Sequence, residues 1–342
     1  MFDTTNDPAT NGLTGRTILT GDRPTGQLHL GHLAGTLLAR RALQEENRQT
    51  ILVADLQALT DNAGNPAKVS GNLLEVVLDY LAVGIDPEKT VIARQSRMPE
   101  LMEMTLLFLN LVTVSRLQRN PTIKTEVEAR GFGESIPAGF LCYPVSQAAD
   151  ITAFGADLVP AGDDQAPLIE LSNEIAARVN RLAGSEVLRR AELLRSRAPR
   201  LPGIDGHGKM SKSACNAILL SDSSDEIRRK VMAMYTDPDH LKVSDPGKVE
   251  GNVVFAMLDA FDPDQEEVEN LKDRYRAGGL GDMALKRRLE PILQELIAPI
   301  RTQRAFLSRD MGEVAAILDR GTERAREDVA PRLAGVRRAF GL

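Results

Sequence analysis

The sequence predicts an α/β protein, with a doubly wound parallel sheet in its first part and an all-helical domain behind it. Three observations carry this. Short β-branched or apolar runs at Thr17-Ile18-Leu19-Thr20, Ile51-Leu52-Val53-Ala54, Thr90-Val91-Ile92-Ala93 and Leu158-Val159-Pro160 have the composition of buried strands. Longer segments with apolar residues at helical spacing separate them, the alternation of a parallel sheet covered on both faces. From Ser221 onward the chain is almost all helical pattern. The expected organisation is a disordered leader over 1–15, an α/β domain over 16–205, a mobile loop over 206–220 and a helical domain over 221–342.

Composition narrows the class. A chain of 342 residues is too long for one simple core. The hydrophobic share of 42% and charged share of 26% are those of a globular protein. The net charge of −6 argues against a surface coated for nonspecific nucleic-acid binding, while leaving room for local basic patches. Cys142 and Cys215 are too few for a disulfide framework or a four-ligand zinc site. No apolar run approaches a membrane span and no secretory series opens the chain, so the expected location is cytoplasmic.

In order along the chain, the first strand runs into the breaker cluster Gly21-Asp22-Arg23-Pro24-Thr25-Gly26, and then into a helix with Leu28, Leu30, Leu33, Leu37 and Leu38 as its apolar residues. His29 and His32 fall in its first turns. A helix start after a parallel strand is an anion site, and Gly31 leaves room for a flat ring against the backbone. The same imidazoles would suit zinc or an ordinary helix surface, although no third His or Cys stands nearby. Asp55, Gln57, Thr60 and Asp61 follow the second strand at its carboxyl end, where open parallel sheets bind ligands. Pro66–Val83 reads as a helix closed by Gly84. Pro99–Leu117 reads as a helix apolar nearly all round, either buried or facing a second subunit. Lys124 follows in a polar loop.

In Gly139–Phe154, Pro144 suits a first helical turn with Tyr143 just before it. Gln147, Asp150, Ile151 and Phe154 then share one face, and a carboxylate on an apolar face needs a partner. Gly162-Asp163-Asp164 ends the fourth strand, before a helix from Ala166 to Ala183. It suits an N-capping turn or a ribose site, and the two are compatible. The Gly- and Pro-rich stretch 199–213 ends in Lys209-Met210-Ser211-Lys212-Ser213, two lysines three apart on a loop. Helical patterns follow at Asp225–Met234, Val253–Phe261, Glu266–Ala277, Gly281–Arg309, Met311–Leu318 and Thr322–Phe340, with basic runs such as Arg228-Arg229-Lys230 and Lys286-Arg287-Arg288.

His29-Leu30-Gly31-His32 together with Lys209-Met210-Ser211-Lys212-Ser213 resembles the paired nucleotide motifs of the class I aminoacyl-tRNA synthetases, in full form and in the expected order. From about Ile18 onward the chain resembles the tryptophan branch of that class, most tellingly in 21–35, 54–61, 99–122, 143–154 and 158–170. The tyrosine branch usually has an aromatic before the aspartate matching Asp150 and a Gly-Ser-Asp-Gln-Trp-type turn later. Here Ala149 and Gly162-Asp163-Asp164-Gln165 stand instead.

The resemblance implies a Rossmann-like, nucleotide-binding homodimer that activates L-tryptophan with ATP and Mg2+ and charges tRNA(Trp). It implies that His29, Gly31 and His32 hold ATP, that Lys209 and Lys212 close over its phosphates, and that Met210 packs near the adenine. Gly162 and Asp164 would hold the ribose, and Lys124 matches, loosely, a further phosphate-binding lysine. Asp150 would accept the indole N–H, Tyr143 and Gln165 would hold the amino-acid head group, and Val159 would line the ring pocket. Arg23 stands where many members have Gln, Gln147 where many have Met, and Ala161 where they have a bulkier residue, which changes the fine shape of the pocket. The helical domain would meet the anticodon through some of its basic runs. A tyrosine-type enzyme, or a binding protein on the same scaffold, is the alternative.

Overall fold

A computed structural model describes residues 12–195, 201–210 and 215–342. Five parallel strands form one sheet in the order β3-β2-β1-β4-β5. They are β1 (Thr17–Asp22), β2 (Arg48–Val53), β3 (Thr90–Arg94), β4 (Leu158–Ala161) and β5 (Glu192–Arg195). The first four were legible as apolar runs. β5, written Glu-Leu-Leu-Arg, has a partly exposed edge-strand composition that no apolar run announces. Its order places β1 at the centre and reverses direction there, so the carboxyl ends of β1 and β4 flank the crevice where such sheets hold ligands.

The chain forms two compact units. Of the described residues, one takes 12–26, 39–195 and 310–342 and contains the sheet; the other takes 27–38, 201–210 and 215–309. These limits differ from the expected boundaries at 205 and 221 at both ends of the chain. The last helix belongs with the sheet, and the histidine segment with the helices.

The reason for the first difference is Gly321. The expected helices Met311–Leu318 and Thr322–Phe340 are one continuous helix, Met311–Ala339. It lies so close to edge strand β3 that a Cβ on Gly321 would fall against the Ile92 carbonyl oxygen. Next to it, the Thr322 hydroxyl accepts a hydrogen bond from the Arg94 N–H at 2.9 Å, satisfying a donor that an edge strand leaves unpaired. Ala325, Val329, Leu333 and Val336 of the same helix join the sheet's apolar core, and Arg326–Glu100 (2.9 Å) and Arg337–Glu103 (2.5 Å) pin its outer side.

Other departures have equally local causes. The expected helix Pro99–Leu117 is two, Pro99–Leu109 and Val114–Gln118. The Asn110 amide turns back to the Leu106 carbonyl at 2.9 Å, and Thr113 caps the new helix at the Arg116 N–H. Leu101, Met104 and Phe108 are buried, whereas Leu106 and Val114 are 65% and 59% exposed. Lys124 lies not in a loop but on a helix, Pro121–Arg130, which Pro121 opens and the Asn120 side chain caps at Thr122 N. Pro144 is not in a first turn: the helix is Ala138–Ala153, preceded by Pro137, so Tyr143 is inside it too. The ring of Pro144 removes the N–H that would have bonded the Phe140 carbonyl. The helix expected over Asp225–Met234 is Ser224–Met232, and its cap is Ser223, which forms a capping box with Glu226. The expected leader lies mostly outside the described residues; its last part is not outside the fold, since Leu13 packs against the Ile18, Leu43 and Leu158 cluster and Gly15 N bonds Glu46 O at 2.9 Å.

At the end of β1, the Asp22 carboxylate receives buried Arg40 at 2.5 Å and the buried Tyr80 hydroxyl at 2.7 Å. Burial pushes the Tyr80 hydroxyl far above its usual range, so it stays a donor. In the other unit, Asp282–Leu307 packs against Ser224–Met232 and Val253–Phe261, burying Ile227, Val231, Phe255, Leu258, Leu289 and Leu293.

Gly321→Ala is expected to lower the stability of the sheet unit by about 1–3 kcal/mol or more, because the new methyl meets backbone that cannot rotate away. Gly71→Ala, on an exposed helical position with open space around it, is expected to add ~0.5–1 kcal/mol. Urea unfolding of both variants measures this; an unchanged midpoint for Gly321→Ala would contradict the packing described.

Candidate active site

In the helical unit the histidine motif is fixed by the chain that follows the lysine motif. Leu30 N bonds Ile218 O at 3.0 Å, Leu220 N bonds Leu28 O at 3.0 Å, and His29 pairs with Leu219 in an antiparallel bridge. His29 is itself a helix cap. Its Nδ1 accepts the Gly31 N–H at 3.1 Å, while its own N–H donates to His32 Nδ1 at 3.3 Å. Each neutral ring is thereby held with its proton on Nε2. The two rings meet at 3.9 Å between centroids, tilted by 57°. Gly31 is required here, since a Cβ would lie 2.9 Å from His29 Cε1. The same point lies 3.7 Å from Met210 Cβ, so the two motifs meet within one unit. Met210 is buried and its N–H bonds Leu201 O at 3.1 Å. Lys209 beside it is exposed and Pro202 bridges to it. Lys212, with Ser211 and Ser213, lies outside the described residues.

In the sheet unit, polar groups gather at the carboxyl ends of the strands. Asp150 is 4% exposed on the Ala138–Ala153 helix. Its Oδ2 accepts from Gln57 Nε2 at 2.6 Å and from Gln95 Nε2 at 2.9 Å. Its Oδ1 is buried with no hydrogen-bond partner among the described residues. Burial pushes the carboxyl up to about 7, against the opposing hydrogen bond from Gln95. Gln57 was legible as a strand-end residue. Gln95, at the end of β3, was missed, although the same strand-end rule applies to it.

Gln147 Nε2 donates to Gln165 Oε1 at 3.1 Å, and Gln165 Nε2 to Asp164 Oδ2 at 3.2 Å. The Asp164 carbonyl accepts the Thr122 hydroxyl at 2.8 Å, tying the turn after β4 to the helix that carries exposed Lys124. A Cβ on Gly162 would lie 2.7 Å from Asp164 Oδ1. Side-chain oxygens of Asp163 and Asp164 cap no helix there; Asp163 instead pairs with Arg195 on the surface at 2.7 Å. Tyr143 donates to Glu126 at 2.9 Å, and burial followed by the Glu126 charge pushes its hydroxyl upward. Arg23 pairs with Asp61 at 3.3 Å, and Arg130 with the same carboxylate at 2.5 Å. Arg130 also covers the Phe140 ring, which meets Tyr143 edge-on. Glu126 and Arg130 were missed because their segment read as a loop. Val159 is buried in the sheet's apolar core, and Ala161 is half-buried at the end of its strand.

The structure thus groups His29, Gly31, His32 and Met210 in one unit. In the other it links Gln147, Gln165 and Asp164, and sets Asp150 between two glutamines that the sequence had not joined to it.

Comparison with known proteins gives this arrangement a family. The family model described as tRNA synthetases class I (W and Y) matches residues 14–298. A tryptophan–tRNA ligase of Clostridium longisporum is 55% identical over 329 residues, 95% of this chain and 96% of that protein. One from Streptococcus pneumoniae is 52% identical over 332 residues, 95% of this chain and 97% of that protein. Among solved structures, tryptophanyl-tRNA synthetase from Campylobacter jejuni, complexed with ADP and tryptophan, superposes with a TM-score of 0.81 at 29% identity, covering 95% of this chain and 100% of that one. The Mycoplasma pneumoniae synthetase gives a TM-score of 0.80 at 26% identity, covering 96% and 98%. The chain belongs to the class I tRNA synthetases of the tryptophan and tyrosine kind and, within them, to the tryptophan–tRNA ligases.

Proposed function

We propose that the chain joins L-tryptophan to ATP, forming tryptophanyl-adenylate and pyrophosphate, and then passes the aminoacyl group to a ribose hydroxyl at the end of tRNA(Trp). Family membership supplies the reaction; the unpartnered buried oxygen of Asp150 carries the choice of amino acid. An indole N–H donates to that oxygen, whereas a phenyl ring leaves it orphaned. Sites built to bond a polar group reject ligands lacking it by ~10⁴–10⁵, far beyond the 1–3 kcal/mol that an extra methylene gives. The tyrosine alternative is disfavoured by the ligases to which the chain is more than 50% identical.

In activation the amino-acid carboxylate oxygen attacks the α-phosphorus, and the bond from that phosphorus to the bridging oxygen breaks as pyrophosphate leaves. The protein's part is positioning and charge stabilisation. The Nε2–H groups of His29 and His32 suit developing negative charge on phosphate without proton transfer. Lys209 and Lys212 add positive charge, with Lys124 as a further one. Met210 and Gly31 make a flat apolar ledge for the adenine, and Gly162 and Asp164 the ribose contact. Tyr143, Gln165 and Arg23 belong to the head-group side, and Val159 to the ring side. Among the described residues no group of three His, Cys, Asp or Glu is placed to hold a metal ion. A magnesium ion bound with ATP would supply positive charge against its phosphates.

The exposed Leu106 and Val114 support a homodimer through the Pro99–Leu109 and Val114–Gln118 helices. Exposed Arg228, Arg229 and Arg287 on the helices of the second unit support contact with the tRNA anticodon, whereas Lys286 of the same run is buried against the Met232 carbonyl and Arg288 pairs with Asp262. Among the described residues no helix is long and apolar enough to cross a membrane, and a cytoplasmic location is proposed with the function.

The deciding experiment is amino-acid-dependent ATP–pyrophosphate exchange across the twenty amino acids, with tryptophan as the expected substrate; exchange with tyrosine instead would reverse the reading. In that assay Asp150→Ala is expected to lower tryptophan-dependent exchange and narrow the gap between tryptophan and phenylalanine. Unchanged discrimination would remove Asp150 from the pocket.

Affinity should also depend on pH. The indole N–H needs the ionised carboxylate, and the free protein's carboxyl is raised to about 7. The tryptophan Kd is therefore expected to be flat above that value and to rise about tenfold per pH unit below it. Asp150→Asn should abolish this slope, and calorimetry from pH 5.5 to 8.5 checks it.

Lys209→Ala is expected to slow activation by about 10²–10³, roughly 2.7–4 kcal/mol, with tryptophan affinity kept. Weakened tryptophan binding with normal turnover would contradict the phosphate role.

A further inference from the structure

We propose that Gln147 is a positioning residue that couples the amino-acid and ribose ends of the site, through a hydrogen-bonded relay Gln147–Gln165–Asp164. This rests on the reading of Gln165 and Asp164 given above.

The relay has a polarity that its chemistry dictates. An ionised Asp164 carboxylate only accepts, so the Gln165 side chain must turn its Nε2 toward it, at 3.2 Å. That turns Gln165 Oε1 the other way, where it must find a donor. Gln147 supplies one from Nε2 at 3.1 Å. The orientation of both amides is therefore set from the ribose end. A thioether or alkyl chain at 147 would fill similar space but give Gln165 no donor, leaving its Oε1 unpaired and its amide held only at the Asp164 end. Gln147 sits one helical turn before Asp150 on the same helix, so the backbone that places the indole acceptor also places the relay. Both glutamines are half-buried, which restrains them without locking them.

Coupling follows from shared ordering. Whichever substrate arrives first freezes side chains that the second also uses, and the second then loses less conformational freedom on binding. Tryptophan and nucleotide should each tighten the other's binding, and linkage requires the two factors to be equal.

The test is titration calorimetry of the full chain with tryptophan, alone and at saturating non-hydrolysable ATP analogue, and the reverse titration. The native chain should show at least a five-fold tightening, equal in both directions. Gln147→Met should reduce that factor about five-fold, the effect of one neutral hydrogen bond. Gln147→Glu keeps the shape but cannot donate when ionised, and should do the same if the Met variant folds poorly. A native factor of one, or a factor unchanged in both variants, would overturn the relay, even if each separate affinity falls. Asp150→Ala distinguishes the two levels: if it leaves tryptophan binding intact, the pocket reading fails, whereas the relay is judged on the coupling factor alone.

Discussion

A carboxylate placed inside an apolar helix face is the constraint around which the proposed amino-acid side of this protein is built. Ionising Asp150 there is costly, and the protein meets only part of that cost. Two glutamine amides, Gln57 and Gln95, converge on Oδ2, while Oδ1 is left without a partner. A half-satisfied buried acid is a poor device for stability, since an unmade hydrogen bond at a buried charged group costs more than a made one returns. It is a good device for recognition, because the missing donor can come from a ligand. The glutamines also fix which oxygen is left, and so the direction from which a donor must approach.

The proposed nucleotide side uses the opposite strategy, with its polar groups held by close backbone contacts. Gly31 brings backbone against the His29 ring, and the two Nδ1 atoms are occupied by backbone N–H groups. This sets both tautomers before any phosphate arrives, which is what electrostatic preorganisation requires. A histidine whose Nδ1 carried the proton would present a lone pair on the other nitrogen, and repel phosphate oxygen. The pairing of Leu28 and Leu30 with Ile218 and Leu220 explains why two motifs nearly two hundred residues apart in sequence share a compact unit.

Much of this was legible in the residues. Four of five strands announced themselves as apolar runs, because central strands of a parallel sheet are buried on both faces. The motif glycines and histidines, and the carboxylate on the apolar face of 144–154, stood out because each breaks a local rule. What escaped notice was either short or decided at long range. β5 is four residues at the sheet edge with half its side chains exposed. Gly321 reads as a helix breaker in isolation and is a helix interior residue, since contact with Ile92 outweighs its intrinsic cost. Asn110 read as the interior of one long helix and ends the first of two, and Asn120 read as chain beyond that helix and caps the next. Gln95 and Glu126 could not be assigned partners because those partners, Asp150 and Tyr143, lie 55 and 17 residues away. Periodicity locates a side chain on its own element and is silent about what it meets on another.

The most direct measurement compares tryptophan with its benzothienyl analogue, in which sulfur replaces the indole N–H and the ring shape is kept. Calorimetric titration of the native chain above pH 7 should show the analogue binding at least a hundred-fold more weakly, because the buried Asp150 oxygen then faces an atom that cannot donate. Equal affinities would contradict the account, since the lone acceptor would then have no part in choosing the amino acid.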